Sequence, residues 1–217
     1  SAALKLRRER FDGAIPDFDP GASVAVYTST LYPELKGFWR SSTDNYPAQG
    51  SAWRLMARAG YEFETANAFF VQGYAMNRRI YSFGSNNRIL LRGELGALAT
   101  QDYEYFPTSL RFYAGGADSI RGYAFREIGE YDGNSNLGGK YLATASVEYE
   151  RKILPAWAIA GFVDAGDAFD SDPTLYVGCG IGARWRSPIG PVRLDVAYGF
   201  DGPNPGYAAY FSLGSDL

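Results

Sequence analysis

One arginine stands in a segment whose composition suits a loop with a specific task. Arg121 lies near the tip of residues 112–123, a glycine-rich segment between two long runs of alternating residues. The pair Gly115 and Gly116 permits a positive φ and a tight reversal, and Gly122 lets the backbone pack closely where a side chain would collide. The composition therefore predicts a functional loop that carries one guanidinium group near its tip.

Other residue types that carry chemistry are scarce. The chain contains no histidine and a single cysteine, Cys179, so it offers neither an internal disulfide nor a soft-metal cluster. Without histidine there is no familiar catalytic triad, and no serine stands in a nucleophile elbow. We therefore predict that the protein is not an enzyme and uses no cofactor.

A cluster of aspartates could suggest a calcium loop. It consists of Asp164, Asp167, Asp170 and Asp172. The spacing lacks the glutamate that completes an EF-hand loop, and a strand end followed by a loop explains the segment equally well. We predict no metal site here.

The composition favours a sheet with aromatic side chains at a boundary. Aromatic residues make up 16% of the chain, with 17 Tyr and 14 Phe, and glycine occurs 26 times. This profile suits many twisted strands that are joined by turns. The net charge is only -3, so the chain has no basic footprint for nucleic acid, and we predict no nucleic-acid partner.

Average hydropathy is a poor guide for such a chain. No stretch approaches the ~18 apolar residues of a membrane helix, and the mean hydropathy of -0.24 alone would indicate a soluble protein. A membrane barrel, however, hides its lipid-facing half in alternation. Residues 1–8 lack the apolar core of a signal peptide, so we interpret the chain as a mature protein, an engineered piece or a fragment.

Period-two alternation runs through the chain and predicts an all-β fold of about 10–12 strands. The predicted strands are residues 4–11, 23–30, 35–42, 53–64, 68–79, 88–99, 141–150, 157–164, 176–186, 192–200 and 207–213. Turn residues mark 12–21, 44–50, 84–87 and 187–190. Longer connections follow at 101–127 and 167–173, so short turns at one rim oppose loops at the other.

The placement of aromatic residues decides between a membrane barrel and a soluble fold. Tryptophan and tyrosine lie near the ends of the apolar faces, at Trp53, Tyr61, Tyr141, Tyr149, Trp157 and Trp185. Such a girdle is typical of strands that cross a membrane, which need ~9–11 residues. The alternative is a soluble β-sandwich or a lipocalin-like barrel, whose strands average nearer five or six residues. We predict a transmembrane antiparallel β-barrel.

Three motifs, taken in order, resemble a known family. They are residues 112–123, Phe-Tyr-Ala-Gly-Gly-Ala-Asp-Ser-Ile-Arg-Gly-Tyr; residues 162–166, Phe-Val-Asp-Ala-Gly; and residues 178–195, which begin Gly-Cys-Gly-Ile-Gly-Ala-Arg-Trp. Together they are similar to the C-terminal barrel of the outer-membrane assembly superfamily, also called bacterial surface antigen proteins. The ending Phe-Ser-Leu-Gly-Ser-Asp-Leu most resembles the barrel subunit of the translocation and assembly module.

The resemblance implies a Gram-negative outer-membrane barrel of sixteen strands, preceded by periplasmic transport-associated domains. Residues 1–217 would then be one barrel domain without those periplasmic domains, and would cover roughly the C-terminal two-thirds of such a barrel. The implied partners are the lipid bilayer, unfolded outer-membrane client proteins and a periplasm-spanning partner subunit. Because unpaired strand edges are costly in hydrocarbon, we expect a small closed barrel, pairing between chains, or dependence on further strands.

The resemblance also assigns roles to individual residues. The loop-lock motif is Ile120, Arg121, Gly122 and Tyr123. Its expected partners on the wall are Phe162, Asp164 and Gly166, beside the inward glycines Gly178, Gly180 and Gly182. A C-terminal strand signal is expected at Tyr207, Phe211, Leu213 and Leu217, residues that could equally just face lipid. Arg121 is expected to enter the lumen and pair with Asp164.

The expected function is assistance in inserting client proteins into the outer membrane or translocating them across it, by a strand edge or seam that templates client strands. Two alternatives remain open at this point. The first is the membrane anchor or secretion barrel of a larger protein, such as a patatin-like phospholipase. The second is a passive pore.

Overall fold

The protein forms one large antiparallel sheet. The computed structural model describes residues 1–13, 24–65, 67–188, 190–202 and 204–217. The strands are β1 (Ala2–Gly13), β2 (Val24–Arg40), β3 (Gly50–Glu62), β4 (Ala68–Phe83), β5 (Asn87–Thr100), β6 (Tyr131–Asp132), β7 (Ser135–Asn136), β8 (Tyr141–Leu154), β9 (Trp157–Phe169), β10 (Tyr176–Ser187), β11 (Gly190–Gly199) and β12 (Gly206–Leu213). In these ranges no helix is long and apolar enough to cross a membrane.

Neighbouring strands of the sheet are mostly consecutive along the chain. Its ten strands run in the order β1-β2-β3-β4-β5-β8-β9-β10-β11-β12, and every neighbouring pair is antiparallel. The short β6-β7 hairpin lies within the long connection from β5 to β8. The predicted all-β antiparallel architecture is confirmed.

The two faces of the sheet differ as the alternation predicted. Along β8, Leu142, Thr144, Ser146, Glu148 and Glu150 are buried, whereas the residues between them are half-buried or exposed. The six predicted girdle residues all lie exposed on the other face, at Trp53, Tyr61, Tyr141, Tyr149, Trp157 and Trp185. The polar face thus lines an interior, and the apolar face forms the outer wall.

The sheet curls around an interior that is filled from both ends. Residues of the β5–β8 connection, among them Phe106, Phe112 and Ile120, form a buried core with wall residues such as Phe70 and Leu142. At the other end, near the turn between β4 and β5, Leu217 packs with Ala52, Ile80 and Leu90. The hydrophobic core of this protein therefore lies inside the curved sheet.

The structure corrects the prediction of separate strands at 23–30 and 35–42. One continuous strand, β2, spans this region, and its ladder to β1 runs unbroken through Pro33 opposite Leu4. The ladder from β2 to β3 is interrupted after Leu31 and resumes at Glu34. Because proline has no N–H to donate, it interrupts one ladder without ending the strand. The predicted turn at 12–21 falls largely outside the described residues.

The structure also corrects the expectation of a small closed barrel. In the described parts of the chain, β1 and β12 are the end strands of the sheet, and no ladder joins them. The sheet is therefore a partial barrel with two free edges. Pairing with further strands or with another chain remains the way in which those edges would be satisfied in a membrane.

Candidate functional site in the barrel interior

Arg121 projects from the long β5–β8 connection into the interior and meets Asp164 of β9. Its Nε lies 2.7 Å from Asp164 Oδ2, and its Nη2 lies 3.0 Å from Asp164 Oδ1. The backbone N–H of Arg121 also donates to Asp164 Oδ2, at 3.0 Å. Arg121 is 5% exposed and Asp164 is 0% exposed. The two residues therefore form a bidentate, charge-assisted pair that is sealed from solvent.

Further charged residues extend this pair into a network. Glu148 of β8 accepts from Arg121 Nη1 through Oε2 at 2.7 Å and from Arg184 Nη2 through Oε1 at 2.7 Å. Asp195 of β11 accepts from Arg184 Nη1 at 2.6 Å and from Arg121 Nη1 at 3.4 Å. We call Arg121, Glu148, Asp164, Arg184 and Asp195 the arginine lock. The lock joins the loop to β8, β9, β10 and β11.

The environment of Arg121 stabilises its charged form. Burial alone would lower its pKa, but the hydrogen bonds and negative charges of Asp164 and Glu148 outweigh burial and raise the pKa above the ordinary value of arginine. The guanidinium carbon also lies 3.4 Å from the centroid of the Phe162 ring, a cation–π contact. Arg121 therefore stays charged, and its removal would leave a carboxylate buried without its main partner.

The predicted inward glycines give the lock its space. A Cβ atom at position 178 would collide with the carbonyl oxygen of Arg121, and one at position 182 would collide with Asp195 Oδ1. A Cβ at position 180 would lie 2.5 Å from the Phe162 ring. Gly178 thus faces the loop backbone directly, Gly182 leaves room for Asp195 and Arg184 of the lock, and Gly180 leaves room for the Phe162 ring.

A substitution at Gly178 tests this close approach. We expect Gly178→Ala to lower the free energy of unfolding by about 1–3 kcal/mol and to displace the loop, because the new methyl group meets backbone atoms that cannot rotate away. The matched control is Gly161→Ala on β9, where a Cβ would meet nothing within 4 Å. Urea unfolding of both variants in detergent measures the difference. Equal stability of the two variants would contradict the close approach.

The other predicted residues of the motif and wall occupy different environments. Ile120 is fully buried in the interior core. Tyr123 is equally buried, and its hydroxyl donates to Val177 O at 2.9 Å. Gly166 has a φ of +147°, and a Cβ there would collide with the Ala143 carbonyl of β8, so this glycine faces the neighbouring strand and not the loop.

Three of the four residues predicted as a C-terminal signal lie on the outer face of β12. Tyr207, Phe211 and Leu213 are 83%, 68% and 52% exposed. Leu217, the fourth residue of the predicted signal, lies beyond β12, which ends at Leu213, and is buried inside the barrel. Gly214, with a φ of +156°, follows directly where the chain leaves the strand.

The last residues form a second interior cluster, which we call the tail anchor. Asp216 Oδ2 accepts from Arg88 Nη2 of β5 at 2.7 Å, and its other oxygen pairs with Arg193 of β11. The Asp216 carbonyl accepts from Arg78 Nη1 of β4 at 3.1 Å. The tail anchor comprises Arg78, Arg88, Arg193 and Asp216. It connects the end of the chain to β4, β5 and β11 across the interior.

Several of these functional candidates escaped prediction from the sequence. Glu148, Arg184 and Asp195 all fall on the charged faces that the alternation indicated, so parity could have nominated them. Asp216 carried no such signal, because it follows the last alternating run. Among the residues described, no cluster of three or more His, Cys, Asp and Glu side chains could hold a metal ion.

A comparison of the sequence with known families gives the class of protein to which this fold belongs. A sequence model of the Omp85 superfamily domain matches residues 35–216. The chain belongs to the Omp85 superfamily, and it is an outer-membrane β-barrel protein.

Two relatives are more specific. The outer membrane protein assembly factor BamA of Nitratidesulfovibrio vulgaris (strain Hildenborough) is 31% identical over 175 residues, which cover 75% of this chain and 22% of that protein. The crystal structure of BamA from Haemophilus ducreyi lacking POTRA domains 1-3 has a TM-score of 0.64 at 19% identity. The match covers 93% of this chain and 44% of that one. The finer resemblance to the translocation and assembly module stays a prediction.

Proposed function

We propose that this barrel assists the insertion of client proteins into the outer membrane. The observation that carries the proposal is the edge of β12, which pairs with β11 on one side and has no partner strand on the other among the described residues. Such an edge can add a client strand through backbone hydrogen bonds. The similarity to an outer membrane protein assembly factor supports this use of the edge.

The free backbone groups of β12 can be assigned from its register. Gly214 N–H donates to Pro191 O at 3.1 Å, next to the pair Val192 and Leu213. Pairs in an antiparallel ladder alternate between hydrogen-bonded and non-hydrogen-bonded, so the backbone groups of every second residue point away from β11. The residues whose N–H and C=O groups point to the free edge are therefore Tyr207, Ala209, Phe211 and Leu213.

The filled interior favours insertion at the edge over passage through the barrel. The loop core occupies one end of the interior, and Leu217 with its neighbours occupies the other. Both a passive pore and translocation through the interior would require these segments to leave. A strand edge, in contrast, is accessible from the membrane without any rearrangement of the interior.

A proline on the free edge tests the proposal. We expect the refolded chain in liposomes to accelerate the insertion of a urea-unfolded eight-stranded barrel protein, and Ala209→Pro to remove most of that acceleration. Proline lacks the N–H that a client strand would bond, whereas the ladder to β11 does not use the N–H of residue 209. The measurement is the rate at which the client becomes heat-modifiable on a gel.

The matched control is Ala209→Val, which keeps the N–H and the strand conformation. We expect this variant to match the unsubstituted chain. Full activity of A209P, or insertion that the unsubstituted chain does not accelerate, would overturn the proposal. Single-channel conductance of the same liposomes examines the pore alternative, for which a large, steady conductance would be required.

A further inference from the structure

One side chain of the terminal strand β12 is hydrogen-bonded to the loop-lock motif in the β5–β8 connection. Tyr210 lies on the inner face of β12, opposite Asp195 in the ladder to β11. Its hydroxyl oxygen lies 2.9 Å from the backbone nitrogen of Gly122 and 2.7 Å from the carbonyl oxygen of Tyr123. Tyr210 therefore connects the strand at the free edge to the backbone of the loop-lock motif.

The Tyr210 hydroxyl is both a hydrogen-bond donor and a hydrogen-bond acceptor in these contacts. The O–H donates to Tyr123 O, and the oxygen accepts from the N–H of Gly122. Tyr123 O also accepts from Gly116 N–H at 3.1 Å, so that oxygen keeps a partner if Tyr210 moves away. The N–H of Gly122, in contrast, donates to the Tyr210 hydroxyl and loses this acceptor if Tyr210 moves away.

The loop backbone at Gly122 packs tightly against β11, so it cannot move together with β12. Gly122 has a φ of +104°, and a Cβ there would lie 2.6 Å from the backbone nitrogen of Gly199 on β11. The loop is thus seated against β11 without spare room. Arg121, the preceding residue, is held by Asp164 and Glu148. If β12 separates from β11, either the hydrogen bonds of Tyr210 to the loop must break or the loop must move away from β11.

We propose that Tyr210 is a positioning residue that couples the terminal strand to the arginine lock. When Tyr210 is bonded to the motif, the docked loop holds β12 against β11, and an undocked loop releases that hold. The use of this coupling in client insertion rests on the proposed function. The coupling itself is a property of the chain and can be measured without a client.

Coupling between two sites is reciprocal, and this gives the proposal two independent consequences. Loss of the Tyr210 hydroxyl should loosen the loop around Gly122. Disturbance of the lock at Asp164 should loosen β12, although Asp164 lies on β9 and has no ladder to β12. A tyrosine that only filled space would produce neither consequence at a distance.

Hydrogen exchange of the full chain in detergent micelles provides the first test. We expect Tyr210→Phe to raise the exchange rate of the Gly122 amide about tenfold, because the substitution removes one oxygen atom and leaves this buried donor without its acceptor. The matched control is Tyr207→Phe, the same change on the outer face of the same strand, where the side chain is 83% exposed. Unchanged exchange of Gly122 in Y210F, or equal effects of the two variants, would overturn the proposal.

A double-mutant cycle provides the second test. We expect Asp164→Asn to accelerate exchange in residues 206–213 when Tyr210 is present and to add little in the Y210F background, because the route of coupling is then already broken. Additive effects would overturn the proposal. The measurement on D164N alone needs no Tyr210 variant, so the proposal can be tested even if Y210F refolds poorly. Unchanged hydrogen exchange of β12 in D164N would contradict it. Neither result depends on client insertion, which is measured separately.

Discussion

Replacement of Arg121 by alanine is expected to undock the long loop from the inner wall and to remove most of the proposed insertion activity. Asp164 receives its hydrogen bonds from the backbone and side chain of this one residue and is fully buried. Removal of one partner from a buried ion pair typically costs about 3–5 kcal/mol, because the remaining charge is left uncompensated. We expect a loss of this size in the free energy of unfolding, measured by urea titration in detergent.

The charge balance of the lock makes the double variant informative. Asp164→Ala alone should cost about as much as Arg121→Ala, whereas the double variant should be little worse than either, because the pair acts as a unit. Arg126→Ala is the matched control, since Arg126 lies exposed in the same loop. Fully additive losses, or an equal loss in R126A, would mean that other contacts hold the loop.

The conservative variant Arg121→Lys separates charge from geometry. Arg121 donates from three nitrogens of its guanidinium to Asp164, Glu148 and Ser146, at 2.7–3.4 Å. A lysine ammonium keeps the charge but lacks the planar fork that permits bidentate bonding. We therefore expect R121K to retain the loop in the interior with reduced stability. If R121K behaves like the unsubstituted chain, charge alone suffices for the lock.

The alternation of the sequence predicted the faces of the sheet because a strand's side chains point in opposite directions in turn. This rule placed Glu148 and Asp164 on the polar face and the girdle tryptophans on the apolar face. It could not predict which polar residues meet, since that depends on strand register and on the curvature of the whole sheet. Arg121 and Asp195 are 74 positions apart in the chain and lie within 3.4 Å.

Two features of the fold had no periodic signal at all. The sequence predicted separate strands at 23–30 and 35–42, but Pro33 between them only interrupts the ladder on one side of the continuous strand β2. Residues 214–217 follow the last alternating run, so no pattern indicated their return into the interior. Their position depends on arginines from β4, β5 and β11, which come together only when the sheet curls.

The tail anchor explains how β12, a short strand at the edge of the sheet, keeps its position. β12 comprises eight residues and has a ladder on one side, so local fraying would be expected from its own hydrogen bonds. Asp216 lies three residues beyond the end of the strand and is almost fully buried. Its ion pairs with Arg88 and Arg193 hold the end of the chain inside and thereby hold the end of β12.

Replacement of Asp216 by alanine is therefore expected to release residues 214–217 from the interior and to fray the end of β12. Arg88 keeps Glu150 at 3.1 Å and a cation–π contact with Tyr46 at 3.6 Å, whereas Arg193 loses its ion-pair partner. We expect a loss of about 3–5 kcal/mol for the broken buried pair. Amide hydrogen exchange of residues 210–217, measured in detergent micelles, should become fast in this variant and remain slow in the unsubstituted chain.

Two further variants separate the charge of Asp216 from its hydrogen bonds and from its location. Asp216→Asn keeps one carbonyl acceptor but loses the negative charge, so it should release the tail partially. Asp44→Ala removes an exposed aspartate at the same end of the barrel and should leave the tail protected. If the C-terminal end stays protected in D216A, the burial of Leu217 beside Ala52 and Ile80 holds the tail, and the ion pairs are dispensable.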